Sequence, residues 1–433
     1  MRRKLLGLAA AGLAAALMLG GCLPESLIPG EGDPVPPGIF LDSSSGAEKL
    51  PPEESAPPVV TESAGTTETG NGPEAESGSS GGGEAWQGGA LEAWEDSFRY
   101  GFLTDHQKKV YRDLYEKASS RLDVFKVTAL DSDSVESAYY ALLADHPELF
   151  WLSGAASIYG SEGPGEKEVT LVFNMEADRI GELSGVIEER VREYLSSLPE
   201  GASEYQRVKA AYEYIIKNTD YEPGAAQGQN IQSALISRAS VCAGYSRAFQ
   251  YLLHRAGVFC AYLSGTVERD GRNEPHAWNL VRIDGTYTYV DVTWGDPNYG
   301  GMPPGEGMPE ITYDYLCLTS DEMERTSHRA DEELQMPDCS SKAYDYYFLN
   351  GCCFESFDEE SVSSRLWAAV DNNIREVHFK YASYEEYAKA ASAIFEGGLL
   401  KEVLQQRMQW DGSRQISYYP MLTDGLYSID IYW

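Results

Sequence analysis

The sequence predicts an α+β protein, and three observations carry that expectation. Segments with apolar residues at helical spacing are interspersed with short runs that alternate apolar and polar residues. Asp284-Gly285, a strong two-residue turn signal, joins two such runs into an antiparallel hairpin. A helix with Phe249, Leu252, Leu253 and Ala256 at its apolar positions and Gly257 as its stop precedes that hairpin, so a helix and a sheet are expected to pack together. At 433 residues the chain has room for two or three ordered domains plus unstructured sequence.

Taken in chain order, residues 1–22 read as a targeting signal. Arg2, Arg3 and Lys4 form a positive start, an apolar run follows, and Leu19-Gly20-Gly21-Cys22 closes it. That ending is similar to a bacterial lipobox, which implies cleavage before Cys22 and lipidation of its thiol and new amino terminus. An ordinary secretory signal, or a membrane-spanning helix that ends in Cys, are the alternatives. Residues 23–90 are rich in Pro, Gly, Ser, Thr and Glu, with twelve acidic residues against one Lys. Such a segment buries too little to offset its ordering entropy, so a disordered tether is expected, with a reach of roughly 45 Å as a flexible coil.

Residues 91–200 read as a small α+β domain. Helices are expected over 106–118, 135–144 and 180–198, and short strands over 149–152 and 168–174. Residues 201–335 hold the core, which opens on a helix over 203–218 with Val208, Ala211, Tyr212 and Ile215 on one face. Residues 340–433 form a second α+β segment: a helix over 362–371, a strand over 375–381, helices over 384–406, and strands over 415–419 and 426–432.

The net charge of -34 argues against nucleic acid and anionic lipid surfaces as partners, which leaves a lipid anchor as the chain's membrane contact. A cationic or neutral substrate suits this charge, and so does simple solubility. Seven cysteines are too few for a disulfide scaffold of this size. With Cys22 and Cys242 set aside, Cys260, Cys317, Cys339, Cys352 and Cys353 remain, an odd number that leaves at least one thiol unpaired. Cys352-Cys353 reads either as a redox pair or as two free thiols.

Chemistry concentrates between residues 241 and 297, where Cys242, His276 and Asp291 occur in that order. A thiol nucleophile needs a base to take its proton and a carboxylate to orient that base. Ser240 marks a helix start that puts Cys242 in the first turn, where free amides and the positive dipole end favour a thiolate and can receive an oxyanion. Ala243 and Gly244 are expected to leave space beside the sulfur. If Asp284-Gly285 are the loop residues, Ile283 pairs with Thr286, Asp291 falls opposite Trp278 and His276 opposite Thr293. His276, Trp278, Asp291 and Thr293 then share one face, with His276 and Asp291 as diagonal neighbours roughly 7 to 8 Å apart at the backbone. Ala277, Val281, Ile283, Val290 and Val292 form the opposite, apolar face.

The runs SVCAGYSRAFQYLLHRAGV and EPHAWNLVRIDGTYTYVDVTWGDP resemble the transglutaminase-like superfamily over about residues 203–330. The resemblance implies a papain-like core with the nucleophile helix packed on an antiparallel sheet and small α+β segments at its flanks. It implies Cys242 as nucleophile, His276 as general base and acid, Asp291 as the orienter of His276, and the Cys242 amide as one oxyanion donor. Gln232 is the candidate for a second donor, and ITYDYLCLTSDEMERTSH is expected to close the sheet.

No cofactor or metal is implied: Cys242, Cys260 and His276 lack close metal-ligand spacing. His106, His146, His254, His328 and His378 read as surface or hydrogen-bonded core histidines. Among Trp278, Trp294, Tyr245 and Tyr299, Trp278 is the best candidate for a substrate groove, and residues 296–309 read as a rim or a plain surface loop. Two functions follow. One is a lipid-anchored, extracytoplasmic cysteine enzyme of the bacterial envelope, acting on a peptide or protein, cell-wall peptide included, with water or an amine as acceptor. The other is an inactive module that binds such partners.

Overall fold

The computed structural model describes residues 97–161, 163–269, 271–297, 299, 305, 307–331, 334–407 and 417–433, together with Ile39 and Phe40. The targeting signal with Cys22, and the tether apart from those two residues, lie outside this set. Among the described residues no helix is long and apolar enough to cross a membrane.

The chain enters with β1 (Ile39–Phe40), which pairs with a C-terminal strand, and then α1 (Phe98–Gly101). Next come α2 (Asp105–Ser119), β2 (Val124–Ala129), α3 (Ser132–Asp145), β3 (Leu152–Tyr159), β4 (Gly165–Phe173) and α4 (Ala177–Ser197). Thr104 and Gln107 form a capping box at α2, and Asp131 caps α3. The three strands make an antiparallel sheet in the order β2-β4-β3. The expected strand over 149–152 is mostly a turn, and the strand proper begins at Leu152. Its Ser-Gly-Ala-Ala-Ser stretch lacks the alternation that marks a strand in sequence.

This segment is not an independent unit. Its buried residues, among them Tyr111, Leu114, Leu142 and Ile187, belong to the same cluster as Val208, Tyr245, Phe249 and Val281 of the core. Arg247 donates to the Leu143 carbonyl, and Gln250 donates to the Ala144 carbonyl at 3.0 Å.

The core continues with α5 (Glu204–Asn218), capped by Ser203 and Gln206, and β5 (Asp220–Tyr221), which runs parallel to β6 (Ala239–Ser240). A π-helical turn, Ser233–Ser237, lies between them. Then come α6 (Cys242–Arg255), β7 (Cys260–Arg269), β8 (Arg272–Ile283) and β9 (Thr286–Val290). After β10 (Leu316–Leu318) follow α7 (Ser320–Arg325) and β11 (Arg329–Ala330), giving a five-stranded sheet ordered β10-β9-β8-β7-β11. Ile283 pairs with Thr286 and the ladder runs to Asn279 opposite Val290, the register expected from the Asp-Gly turn. The expected pairs of Trp278 with Asp291 and of His276 with Thr293 do not form, because the chain leaves the ladder after Val290. Asp284 and Gly285 both have positive φ, at 47° and 82°, as a tight hairpin loop requires.

Both faces of this sheet are covered. Val281, Ile283, Val290 and Val292 pack with α6 in the main core. Trp278, Leu280 and Tyr289 pack with Leu318, Met323 and Leu426 on the other side. The strand β7 was not apparent in the sequence because its first four residues are all buried, so it has no polar face to betray it.

The C-terminal segment comprises α8 (Tyr346–Leu349), β12 (Cys353–Phe354), α9 (Glu359–Asp371), β13 (Glu376–Tyr381), α10 (Tyr384–Ala391), α11 (Leu399–Arg407), β14 (Ser417–Thr423) and β15 (Ser428–Tyr432). Its sheet has the order β1-β14-β15-β13-β12 and its own apolar cluster. Polar groups buried at its base tie it to the core. Asp314 accepts from Tyr347 at 2.7 Å, Thr423 at 2.6 Å and Ser428 at 2.5 Å. Lys380 bridges Glu322 at 2.7 Å and Asp345 at 2.6 Å, each side chain at most 4% exposed.

Candidate active site

Cys242 opens α6 and is the half-buried member of the predicted trio; His276 is 6% exposed and Asp291 is fully buried. Val241, and not Ser240, is the N-cap, and no side chain caps the helix. The Ser240 hydroxyl instead lies 2.5 Å from that of Ser233 and donates toward the Gly228 carbonyl. The first-turn amides of α6 therefore lack a side-chain partner, which suits reception of an oxyanion.

Gly244 does not open space beside the sulfur. A Cβ there would meet the Ser240 hydroxyl at 2.0 Å and the Ser233 hydroxyl at 2.5 Å, so the glycine serves the packing of α6 on the preceding loop. Ala243 is likewise buried, against Ala144, Tyr262 and Ala277.

His276 lies on β8, paired with Gly265 of β7, and its Nε2 is 2.6 Å from Asp291 Oδ2. That leaves Nδ1 for the Cys242 sulfur, which is near enough to act on the ring electrostatically. Burial opposes a charge on His276, but the Asp291 carboxylate and the neighbouring sulfur outweigh it and raise the imidazole to about 10. Asp291 itself is held well below the usual carboxylate range: burial works against ionisation, and the two nearby imidazoles overcome it. Its other oxygen, Oδ1, accepts the amides of Thr293 at 3.0 Å and Trp294 at 3.1 Å. Those bonds form because the chain leaves the ladder after Val290 and turns sharply under its own carboxylate.

The second imidazole is His328, whose Nε2 lies 3.1 Å from the same Oδ2. It was read from the sequence as an ordinary histidine, and the structure places it in the site. The signal for it lay in the run ending DEMERTSH, assigned only to closure of the sheet. Burial and the charge on His276 push His328 down, against the opposing pull of Asp291. His276, Asp291 and His328 place ligand-type atoms within 4.8 Å of one another. Each of those atoms is already engaged by hydrogen bonding to another member, which accounts for the grouping without an ion.

Trp278 is not available to a groove. It is 1% exposed, with its ring stacked on His276 at 6.0 Å and packed against His328 at 5.1 Å, because the connection from α7 to β11 closes over it. Trp294 is the half-exposed aromatic beside the histidine, 5.5 Å from its ring and beneath Arg269. Across the sulfur is Tyr221 on β5, 42% exposed; desolvation by the surrounding wall and then the Cys242 sulfur raise its hydroxyl. Gln232 precedes the π-helical turn, and its backbone N–H donates to Asn230 Oδ1 at 2.8 Å. No described contact joins Gln232 to Cys242 or His276. Cys260 pairs with Val281 inside the core, so the Cys242, Cys260 and His276 set is not assembled. The described cysteines are all free thiols.

A half-buried thiol at a helix start, a buried imidazole and a carboxylate behind that imidazole are the three groups that cysteine acyl transfer requires, here on an α+β core. Residues 195–292 match the model of the transglutaminase-like superfamily, a span that includes Cys242, His276 and Asp291. The chain thus carries a transglutaminase-like domain. It is 31% identical over 111 residues to kyphoscoliosis peptidase of Mus musculus, a match to 23% of this chain and 17% of that protein. The Homo sapiens protein of the same name gives the same identity and coverage, so the chain spans about a sixth of these relatives. Among solved structures, one described as a TGase has a TM-score of 0.25 and 15% identity, and covers 42% of this chain and 54% of its own. The periplasmic domain of TgpA from Pseudomonas aeruginosa has a TM-score of 0.19 and 16% identity, with 31% and 57% covered.

Proposed function

We propose that the protein is an extracytoplasmic cysteine enzyme that forms a thioester at Cys242 with a peptide or glutamine side-chain amide and passes the acyl group to water or an amine. The hydrogen bond from His276 to Asp291 carries this reading, because it leaves the other ring nitrogen for Cys242, the described thiol at a helix start, whose sulfur acts on the same ring. In the reaction the sulfur attacks the amide carbonyl, the oxyanion forms against the first-turn amides of α6, and Nδ1 of His276 protonates the departing amine. The same nitrogen then takes a proton from the water or amine that resolves the thioester. The likeness to proteins named as peptidases supports water as the acceptor. The lipobox-like ending at Cys22 supports a place outside the membrane on a lipid anchor.

The test is thiol competition. Iodoacetamide at neutral pH should label Cys242 at least about tenfold faster than Cys260 and Cys317, whose thiols burial pushes up. Equal labelling would sink the reading. Incubation with peptide libraries and mass spectrometry of the Cys242 peptide should then capture the acyl fragment.

A further inference from the structure

Asp291 is an acceptor shared between two imidazoles. A carboxylate has room for about four hydrogen bonds, and here all four sites are taken: Oδ1 by the amides of Thr293 and Trp294, Oδ2 by His276 at 2.6 Å and His328 at 3.1 Å. Both histidines approach through Nε2, His276 from within β8 and His328 from the connection between α7 and β11.

The delivery of His328 is locally specified. Thr319 and Glu322 form a capping box that starts α7. The helix ends with Ser327 at a φ of 63°, its amide bonded to the Glu324 carbonyl, while the His328 amide bonds to the Met323 carbonyl. This is the Schellman pattern, and it places His328 two residues beyond the C-cap Thr326 with its direction set. Arg329 and Ala330 then pair with Thr266 and Gly265 of β7, and Gly265 is the residue opposite His276. A Cβ at Gly265 would lie 2.0 Å from the Arg329 carbonyl and 2.8 Å from Trp278, so only glycine lets the strand carrying His328 come this close. Trp294 at 4.6 Å and Trp278 at 5.1 Å enclose the His328 ring, and Thr326 Oγ1 lies 3.0 Å from its Nδ1.

We infer that His328 is a positioning residue for the candidate Cys242 reaction: as a second Nε2–H donor it pins the Asp291 carboxylate and thereby sets the orientation and basicity of His276. The inference rests on the reading of Cys242, His276 and Asp291 as the reactive set. It requires His328 to be neutral, since a second positive ring would compete with His276 for one carboxylate. The pressure of burial and of the His276 charge is in that direction. Among the described residues Tyr212, Tyr221 and Tyr315 also feel the Asp291 charge, with Arg269, Glu274 and Asp314 acting on those tyrosines in turn, and no hydrogen bond joins any of them to the Asp291 carboxylate. His328 never touches the substrate in this scheme. Its effect reaches the sulfur through Asp291 and His276.

The test uses the full chain with nitrogen-labelled histidine and proton NMR at neutral pH. Wild type should show His328 as a neutral ring with its proton on Nε2, and a low-field Nε2 proton for His276. In His328→Phe the His276 proton should move further downfield, because Oδ2 is no longer shared. In His328→Gln, whose amide is also a donor, it should stay close to the wild-type position. Cys242 alkylation should slow by about tenfold in the Phe variant and by much less in the Gln variant. A charged His328, or one protonated on Nδ1, overturns the inference in wild type alone. An unmoved His276 resonance in His328→Phe overturns it too, even if that variant melts earlier. Slow alkylation of wild-type Cys242 would instead count against the proposed function, and the NMR comparison reads the shared carboxylate in either case.

Discussion

Asp291 is fully buried and must remain ionised to hold its partners, so its charge is the pivot of the site. Asn at this position keeps the shape but presents an amide group to an imidazole N–H, which loses both the bond and the counter-charge. Asp291→Asn should therefore slow Cys242 alkylation at pH 7 by roughly 10²-fold or more, an effect of the size that a lost acid-base partner has elsewhere; an unchanged rate would contradict the assigned role. His276 supplies a pH signature. Its folded value of about 10 lies above the unfolded value of about 6.5, so its contribution to stability is complete below pH 6.5 and is lost as pH rises through 10. Urea unfolding should show stability falling across that window, and His276→Gln should remove that part of the slope. The motif residues were legible in sequence because each sits in a local context. Trp278 is not a groove residue because His328, some fifty positions later in the chain, packs against its ring.

The hairpin of β8 and β9 is the element whose geometry the sequence specifies best. Asp284-Gly285 dictates a two-residue loop, the loop dictates register as far as Asn279 opposite Val290, and the turn that follows carries Asp291 to His276. Strand β7 shows the limit of that logic. It is buried on both faces along most of its length, so its side chains do not alternate, and it went unrecognised. Yet it carries Gly265, where β11 approaches most tightly. Gly265→Ala should cost about 1–3 kcal/mol by overpacking, measured by chemical denaturation, and should loosen His328 from Asp291. Stability within about 0.3 kcal/mol of wild type would show that β11 gives way more easily than the close contact implies.

Across the whole molecule the C-terminal segment braces the site from behind. Lys380 of β13 reaches Glu322 in α7, the helix that delivers His328, and the Lys380 ammonium holds the Glu322 carboxyl down at about 2 against the opposing effect of burial. Lys380→Met leaves Glu322 and Asp345 buried without their cation, and removal of one partner from such a pair costs about 3–5 kcal/mol. A matching loss should appear in thermal melting; a change below about 1 kcal/mol would mean that the network is hydrated and does not brace α7.

The sequence by itself determined the α+β class, the Asp-Gly hairpin and the order of Cys242, His276 and Asp291, because caps, turns and alternation act over a few neighbouring residues. Only the tertiary structure decided that Gly244 serves packing, that Trp278 is buried and Trp294 is half exposed, and that His328 shares Asp291. Each of those outcomes depends on surfaces brought together from distant parts of the chain, and no local periodicity encodes which surface will cover which.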